Sequence, residues 1–339
     1  MITLDGSVGE GGGQILRSSL ALSIITGEPV TLTKIRARRQ RPGLRRQHLT
    51  AVEAARDICG AEVTGAEIGA SEIVFQPGPV WPGKYRFAVG TAGSAMLVLQ
   101  TVLPPLMLAE GPSQLRLEGG THNPMAPPFD YLQRVYLPLL ERMGVRVEAR
   151  LERHGFFPAG GGIVHVDITP PEDGTLQPLE IFEAGRTLRR QARVLIARLP
   201  RHIAEREIQT LKKATSWPDN TYSIDEVESD GPGNVVLLEQ VSEHVTEMVS
   251  AFGKQGVPAE KVARQAAQEL RRYQRAEVPV GECLADQLFL PLALAGGGGF
   301  RALPLSLHAT TQLELIPRFL DSVKFEVTES SQGVDVRVQ

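Results

Sequence analysis

The sequence GEGGGQILR, residues 9–17, decides how the chain begins to fold. It follows a strand-like segment that starts at Met1, and it opens an apolar helical pattern that runs over residues 14–26. A strand, a glycine-rich turn and a helix in this order present free backbone N–H groups and a positive helix end to an anion. No Gly-Lys-Ser/Thr follows, so the turn is neither a Walker loop nor a full GxGxxG fingerprint. We therefore expect an anion cradle between the first strand and the first helix.

The pattern that begins at this turn recurs twice more along the chain. Each unit reads helix, strand, helix, strand, strand when apolar spacings of about 3.6 and 2 residues are marked. Such units indicate a repeat-built α/β (α+β) fold in which neighbours bury a common core. The predicted elements are helix 14–26, strand 29–36, helix 43–59 and two strands within 62–76; helix 93–108, strand 114–117, helix 128–143 and strands 145–151 and 163–168; and helix 283–294, strand 300–303, helix 310–321 and strands 324–329 and 334–338.

A segment of different composition, residues 184–277, separates the second unit from the third. It is rich in charge and reads as strand, helix, several strands and a final helix over 258–275. Pro279 and the return of an apolar pattern at Leu284 mark the point where the repeats resume. The sequence therefore predicts a three-repeat body over residues 1–183 and 278–339, with a small α+β domain inserted over 184–277.

Composition limits the class of protein. The chain has 339 residues, of which 42% are hydrophobic and 22% charged, and this is ordinary for a globular protein with a large core. No run of about 18 apolar residues predicts a membrane span, and no secretory signal is recognisable at the start. Cys59 and Cys283 form neither a disulfide framework nor a metal-binding spacing. We expect a cytoplasmic protein that does not associate with a membrane.

Local charge is more informative than the net charge of −3. Residues 34–46, KIRARRQRPGLRR, hold seven cations and no acid. Such a run is either a solvated face or a patch that binds phosphate, and arginine favours phosphate because its planar fork binds two oxygens. The sequence leaves both interpretations open.

One histidine lies where a strand meets the last predicted helix, in the sequence PLSLHAT of residues 304–310. A lone histidine is more often structural than catalytic, but a neutral imidazole can attack an α-phosphorus. The turns at 38–42, 122–124 and 306–309 hold equivalent places in the three units. If the units pack around a pseudo-threefold axis, His308 and the cationic run share one mouth of the molecule.

Several other residues have both a structural and a functional interpretation. Glu10 and Asp286 are acids at helix starts, which is a common structural choice, and Glu10 could instead meet a triphosphate or its metal. Arg17 lies one turn into the first helix, and Gln287 could bind a base or a phosphate. The proline-rich turn over 123–129 is either a plain helix entrance or a rigid wall for a purine.

Four of these strings together resemble the RNA 3′-terminal phosphate cyclases. They are DG (residues 5–6) with GEGGGQILR, RPGLRRQH (41–48), HGFFPAGGG (154–162), and the segment 284–288 with His308. The resemblance covers essentially the whole chain, including the insert. It implies three repeats of a two-helix, four-stranded unit and the conversion of an RNA 3′-phosphate to a 2′,3′-cyclic phosphate with ATP and Mg²⁺ or Mn²⁺. A departure is Cys283, where close relatives are expected to have tyrosine.

The resemblance also implies roles for individual residues. His308 would be the nucleophile that carries AMP, and Glu10 would also bind metal. Partners would be ATP and RNA with a 3′-phosphate end, while a homodimer is left open. Residues implied to bind ATP or its phosphates are Glu10, Arg17, Gln100, Pro127, Asp286 and Gln287; those implied to bind RNA phosphate are Arg36, Arg39 and Gln47.

Two other classes fit parts of the pattern. Cyclase-like proteins of ribosome assembly act without this catalysis and are expected to lack the nucleophilic histidine, which this chain has at His308. Enolpyruvyl transferases share a repeat-built α/β plan but lack the GEGGGQ opening. The sequence therefore favours a true cyclase.

Overall fold

The computed structural model describes residues 1–330 and 332–339. The first unit is built around a four-stranded sheet. Its strand order is β1-β2-β4-β3, with β2 parallel to β1 and antiparallel to β4. The anion-binding turn predicted from the sequence joins the first strand to the first helix. The elements are β1 (Ile2–Asp5), α1 (Gln14–Thr26), β2 (Val30–Thr33), α2 (Arg46–Cys59), β3 (Glu62–Thr64) and β4 (Ile73–Gln76).

The second unit repeats this plan with the strand order β5-β6-β8-β7. Strand β6 is parallel to β5 and antiparallel to β8, as β2 is to β1 and β4. Its elements are β5 (Lys84–Ala88), α3 (Ala95–Met107), β6 (Ser113–Gly119), a helix composed of α4 (Phe129–Tyr131), a π-helical turn (Leu132–Tyr136) and α5 (Leu137–Arg142), then β7 (Arg146–Arg153) and β8 (Gly162–Thr169).

The third unit is divided along the chain. Its first strand, β9 (Leu179–Ile181), precedes the insert and pairs in parallel with a strand that follows it. The intervening elements are β10 (Thr187–Ala197), α6 (His202–Thr215), a 3₁₀ turn (Asp219–Thr221), β11 (Tyr222–Glu226), β12 (Gly233–Ser242), β13 (Thr246–Phe252) and α7 (Ala259–Ala276). The unit then continues with α8 (Glu282–Leu294), β14 (Gly298–Ala302), α9 (Leu307–Leu315), a 3₁₀ turn (Ile316–Arg318), β15 (Phe325–Ser330) and β16 (Gly333–Val338).

The mixed α/β (α+β) fold of repeated units is confirmed, with one correction. Each unit begins with a strand, so the repeat is strand, helix, strand, helix, strand, strand, and the sequence analysis had missed β5 and β9. Strand β9 has three residues, too few to show a period, and in β5 only Phe87 is buried. Helix α9 begins at Leu307 and not at residue 310, because the Ser306 side chain accepts a hydrogen bond from the Ala309 N–H at 3.1 Å.

Strand β12 connects two hydrophobic cores. Val235 and Leu237 belong to the core shared by the three repeats, whereas Val236 and Leu238 belong to a second core under α6 and α7. Successive side chains of a strand point to opposite faces, so one face of this sheet packs on the body and the other beneath its own helices. Within the described residues, no helix is long and apolar enough to cross a membrane.

Candidate active site

The site begins where the first helix meets the last one. Gln14, the first residue of α1, is 2% exposed, and its Nε2 donates to the His308 carbonyl at 3.2 Å. The same amide nitrogen donates to Oδ1 of Asp286 on α8. Its Oε1 contacts Nδ1 of His308 near the start of α9. One buried amide therefore joins three helices, and it fixes the orientation of the histidine ring.

These contacts determine the tautomer of His308. Both partners of the Gln14 nitrogen are oxygens that accept, so the amide orientation is set and Oε1 faces the ring. An amide oxygen can only accept, so Nδ1 of His308 carries the proton. In the neutral ring the lone pair then resides on Nε2. The His308 side chain is exposed, which leaves this nitrogen accessible to a ligand.

The surroundings of His308 favour the neutral ring. Burial of part of the side chain lowers the pKa of His308 below 6.5, and the cations Arg17 and Arg39 act in the same direction. Asp286 opposes this shift, and burial raises the pKa of the Asp286 carboxyl above its ordinary value. His308 is therefore unprotonated near neutral pH, in the form that can act as a nucleophile.

The glycine turn contacts the helix that carries this histidine. The Glu10 N–H donates to Oγ1 of Thr311 on α9 at 3.0 Å, and Oε1 of Glu10 forms an ion pair with Arg39. The other oxygen, Oε2, is buried and has no hydrogen-bond partner. A Cβ atom at Gly12 would lie 2.6 Å from the Arg39 guanidinium and still closer to the Glu10 carboxylate, so both side chains pack closely on the backbone of the turn. The turn thus presents an unsatisfied carboxylate oxygen next to two helix N-termini.

Arg17 is a buried residue of the first helix. It is only 9% exposed, and its Nε donates to Oε1 of Gln100 at 3.0 Å. Burial lowers the pKa of Arg17 to about 10, which still leaves it charged at neutral pH. A Cβ atom at Gly13 would lie 2.7 Å from Arg17 and 2.6 Å from Nε2 of His48. Arg17 is thus a buried cation directly under the glycine turn.

A cleft next to these groups has mostly apolar walls. The empty space within it is about 650 Å³, a volume that includes open solvent at its mouth. Four residues that the family resemblance had assigned to ATP lie in its walls: Gln100, Pro127, Asp286 and Gln287. Other lining residues come from α1, α3, the π-helical turn, α8 and α9, namely Ser18, Met96, Leu97, Leu99, Leu103, Pro104, Leu132, Tyr136, Leu290 and Gln312.

The residues assigned to RNA phosphate lie in three different settings. Arg39 pairs with Glu10, and its charge lowers the pKa of His308, so it shares the mouth with the histidine. Arg36 donates through NH1 to the carbonyls of Arg41 and Gly43 at 2.8 Å each, and it therefore braces its own loop. Gln47 accepts a hydrogen bond from the Ser94 N–H at 3.0 Å, which joins α2 to the first turn of the second unit.

His122 occupies the turn of the second unit that is equivalent to the turn with His308. It is fully buried, and both ring nitrogens have partners: Oγ1 of Thr121 at 2.8 Å and Oδ2 of Asp130 at 2.9 Å. Arg193 of β10 donates to the other oxygen of Asp130 at 2.7 Å. Through Asp130 this histidine is thus linked to β10, and it has no nitrogen available for a ligand.

The sequence analysis missed some members of the site. Gln14 was quoted only as part of a motif, although a glutamine at the first position of an apolar helix is a signal for a buried polar contact. Thr311, one turn after Ser306, was not singled out. His48 was quoted only as the last residue of RPGLRRQH, and its pKa is lowered to about 3 by burial and by Arg36, Arg17, Arg45 and Arg39. It is therefore a neutral group within a cationic cluster.

Comparison with known proteins identifies the family of this chain. The family model described as RNA 3′-terminal phosphate cyclase matches residues 8–327, a range that holds every site residue described above. A protein of Koribacter versatilis (strain Ellin345) named RNA 3′-terminal phosphate cyclase is 52% identical over 330 residues, which cover 97% of this chain and 92% of that protein. The chain belongs to the RNA 3′-terminal phosphate cyclase family.

Proposed function

We propose that this protein uses ATP to convert the 3′-terminal phosphate of an RNA to a 2′,3′-cyclic phosphate, and that His308 carries AMP during the reaction. Family membership supports the overall reaction. The observation that carries the role of His308 is its exposed ring, whose Nδ1 is held by Gln14 and whose Nε2 is free. A scaffold protein without catalysis has no need for such an arrangement.

In the first step, the lone pair of His308 Nε2 attacks the α-phosphorus of ATP. An N–P bond forms, and the bond from this phosphorus to the bridging oxygen of pyrophosphate breaks. The lowered pKa of His308 keeps the lone pair available at neutral pH. Arg17 and Arg39 supply positive charge where the phosphates and the leaving pyrophosphate carry negative charge.

Gln14 and Asp286 stabilise the product of this step. When Nε2 binds phosphorus, the ring becomes cationic, and the proton remains on Nδ1. The oxygen of Gln14 accepts this N–H, and the Gln14 nitrogen donates to the Asp286 carboxyl. The ring charge is thus opposed by a buried acid through one fixed amide, as in other nucleophile–orienter arrangements.

A divalent ion fits the glycine turn. Oε2 of Glu10 is buried and lacks a protein partner, and Mg²⁺ is commonly held by one or two carboxylates together with substrate phosphates. Glu10 would hold Mg²⁺ or Mn²⁺. When bound, the ion would neutralise phosphate charge and polarise phosphoryl oxygens.

The later steps transfer AMP and close the ring. An oxygen of the RNA 3′-phosphate attacks the α-phosphorus, the N–P bond breaks, and His308 is regenerated. The vicinal 2′-hydroxyl then attacks the activated 3′-phosphorus and loses its proton, while AMP leaves. Arg39 and Gln47 are proposed to hold the RNA phosphate, together with Arg36 once the loop over 41–43 releases its guanidinium.

The adenine would occupy the apolar cleft. Pro127, Met96 and Leu99 offer flat or flexible apolar surface, while Gln100 and Gln287 offer polar groups at the wall. Cys283 precedes Gln287 by one helical turn, and Nε2 of Gln287 donates to the Cys283 carbonyl at 3.4 Å. To contact a bound nucleotide, the Gln287 amide would exchange this hydrogen bond for one with the nucleotide.

The domain division is also a proposal. Residues 184–277 would form an inserted domain, and residues 1–183 with 278–339 would form the catalytic body. Support comes from β14. It pairs with β9, which precedes residues 184–277 in the chain, and it also forms a β-bridge with Val280, which follows them. The chain therefore leaves and rejoins the body beside one strand, as inserted domains usually do.

Incubation with ATP labelled at the α-phosphate, followed by a denaturing gel, tests the covalent step. We expect label on the wild-type protein and its release as AMP when RNA with a 3′-phosphate is added. Label from ATP carrying a γ-phosphate tag is not expected to remain. Absence of α-label in a protein that still cyclises RNA would contradict the role of His308.

A further inference from the structure

The string HGFFPAGGG contributes no residue to the site described above, yet it places a phenylalanine in solvent. Phe157 is 66% exposed, whereas its neighbour Phe156 is 2% exposed and packs against His122 and His154. Among the phenylalanines that the structure describes, no other is largely exposed. A large aromatic side chain left in water at a fixed position is a common feature of a binding surface.

The loop that carries Phe157 is rigid. The Gly160 N–H donates to the Phe156 carbonyl at 2.7 Å and closes the loop, and Nε of Arg153 donates to the Gly161 carbonyl at 2.7 Å. Gly160 and Gly161 both have φ near +70°, which favours glycine. A Cβ atom at Gly160 would lie 2.8 Å from Cα of Ala92. The aromatic ring thus stands on a loop that is fixed to the first turn of the second unit.

A chain of contacts connects this loop to the histidine. Gly93, next to Ala92, packs on Gln47, since a Cβ atom at Gly93 would lie 2.9 Å from Cβ of Gln47. The next residue, His48, faces Gly13 of the glycine turn. Gly13 is followed by Gln14, which holds His308. The start of α2 therefore lies between the loop of Phe157 and the AMP-accepting nitrogen.

The surface around this path suits a nucleic acid. Arg41 and Arg46 are exposed near the start of α2 and can meet backbone phosphates. Met125 is 83% exposed, and its loop also contacts Ala92, because Asn123 Nδ2 donates to the Ala92 carbonyl at 2.7 Å. Two exposed apolar side chains thus stand on loops that meet at Ala92.

We propose that Phe157 is a stacking platform for a nucleobase of the RNA substrate, a few nucleotides before the 3′-phosphate. The inference rests on the proposed function, because it assumes that the RNA end reaches His308. Proteins that bind single strands stack bases on aromatic side chains, with little preference among the four bases. Phe157 would therefore strengthen RNA binding without selecting a sequence and without touching ATP.

Phe157→Ala tests the platform, with Phe157→Trp as the conservative variant. Binding of a fluorescent ten-nucleotide RNA with a 3′-phosphate is measured, together with self-adenylylation without RNA. We expect Phe157→Ala to raise Kd about 5- to 100-fold, on the scale of one lost base stack, and Phe157→Trp to restore it. Self-adenylylation is expected to stay within about twofold of the wild-type rate, since charge groups at His308 are unchanged.

Trp81→Ala is the matched control. Trp81 is an exposed aromatic residue that packs on Gly60 at the other end of α2, roughly 20 Å from Gln47 at 1.5 Å per residue. The Trp81→Ala substitution is expected to leave the Kd for RNA unchanged. A loss of binding in Trp81→Ala equal to that in Phe157→Ala would overturn the assignment, because it would indicate an effect of general apolar surface.

RNAs with one abasic nucleotide give a test on the wild-type protein. Each RNA of the series lacks one base near the 3′ end. We expect one of these RNAs to bind the wild type more weakly and to bind the wild type and Phe157→Ala with the same Kd. Equal binding of all abasic RNAs by the wild type would overturn the proposal. A wild-type protein that neither labels itself nor cyclises RNA would instead refute the proposed function.

Discussion

His122 and His308 occupy equivalent turns of two repeats, but only one of them can react. Both ring nitrogens of His122 have partners, and the side chain is fully buried beside Asp130. His308 is exposed, and only its Nδ1 is held, by the amide of Gln14. The fold thus uses the same position once for a buried structural contact and once for an exposed ring, which we propose to be the nucleophile. The difference lies in what surrounds each ring: a charged network closes one, and a neutral amide leaves the other open.

The largest expected effect separates the two histidines directly. His308→Ala is expected to abolish labelling from α-labelled ATP and also RNA cyclisation, because no other group at the site replaces Nε2. His308→Asn is expected to behave in the same way, since an amide is not a nucleophile. Acid-labile AMP on the His308→Ala protein would show that another residue is the nucleophile.

The next largest effects are expected at Glu10 and Arg17, two charged residues of the proposed site that have no counterpart around His122. Glu10→Ala and Arg17→Ala are each expected to slow self-labelling by about 10²-fold or more, the scale for one preorganised electrostatic contact. Arg17→Ala is also expected to lower Tm, because Arg17 is buried against Gln100. Single-turnover labelling at saturating ATP measures the first effect and a melting curve the second. Wild-type labelling rates in both variants would contradict these roles.

Gln14 tests whether the fixed amide makes the ring reactive. Gln14→Ala is expected to slow labelling by about 10- to 100-fold, because the ring loses the partner that sets its orientation and tautomer. Gln240→Ala is a matched control, since it removes another buried glutamine, one on β12 that does not line the cleft and whose Oε1 accepts from Nε of Arg190 at 3.2 Å. If the two variants label equally well, the amide contact does not activate His308.

The pH dependence of labelling follows from the direction of the His308 pKa. Burial and nearby cations lower this pKa below 6.5, and the neutral ring is the reactive form. The rate is therefore expected to be constant from pH 8 to pH 7 and to fall only below pH 6.5. Gln14→Glu is expected to move this fall to higher pH, because a second carboxylate favours the protonated ring. A wild-type rate already halved at pH 7 would contradict the lowered pKa.

The smallest effect on labelling is expected at the other histidine. His122→Asn is expected to leave the labelling rate within about threefold, since His122 contacts neither the cleft nor His308. It is expected to lower stability by about 1–3 kcal/mol, because a buried partner of Asp130 is removed. Urea unfolding compared with labelling of the same sample separates the two. If His122→Asn lost labelling but kept its stability, His122 would take part in the reaction, and the contrast with His308 would be wrong.

Local signals in the sequence were sufficient for much of the fold. Helix α1 was predicted with its observed bounds, because Gly27 ends it in the left-handed conformation at φ 73°. The last strand of each unit was also predicted from its apolar spacing, and so was the repeat of the three units. The π-helical turn over Leu132–Tyr136 could not be predicted, because its apolar residues fit an α-helix equally well. Strand β9 was missed because its partner lies beyond the insert.

The site was predictable only in part, since several of its contacts depend on distant chain segments. His308 and the glycine turn were identified from motifs, and the residues assigned to ATP lie near one another. The role of Gln14 was not predictable, because the two groups it joins lie on α8 and α9. The burial of Arg17 depends on Gln100 from the second unit. The sequence indicates which residue types are present, whereas packing between units decides which of their atoms remain free.

The joining of the first and last helices has a consequence for synthesis. Gln14 and His308 are 294 positions apart, and Glu10 and Thr311 are 301 apart. Contacts at such separation form late, because a long loop must close before they stabilise anything. On the ribosome, the glycine turn emerges first and waits for almost the whole chain before it meets its histidine. A chain that lacks either segment thus lacks the contact between Gln14 and His308, and under the proposed function it would not yet capture AMP on His308.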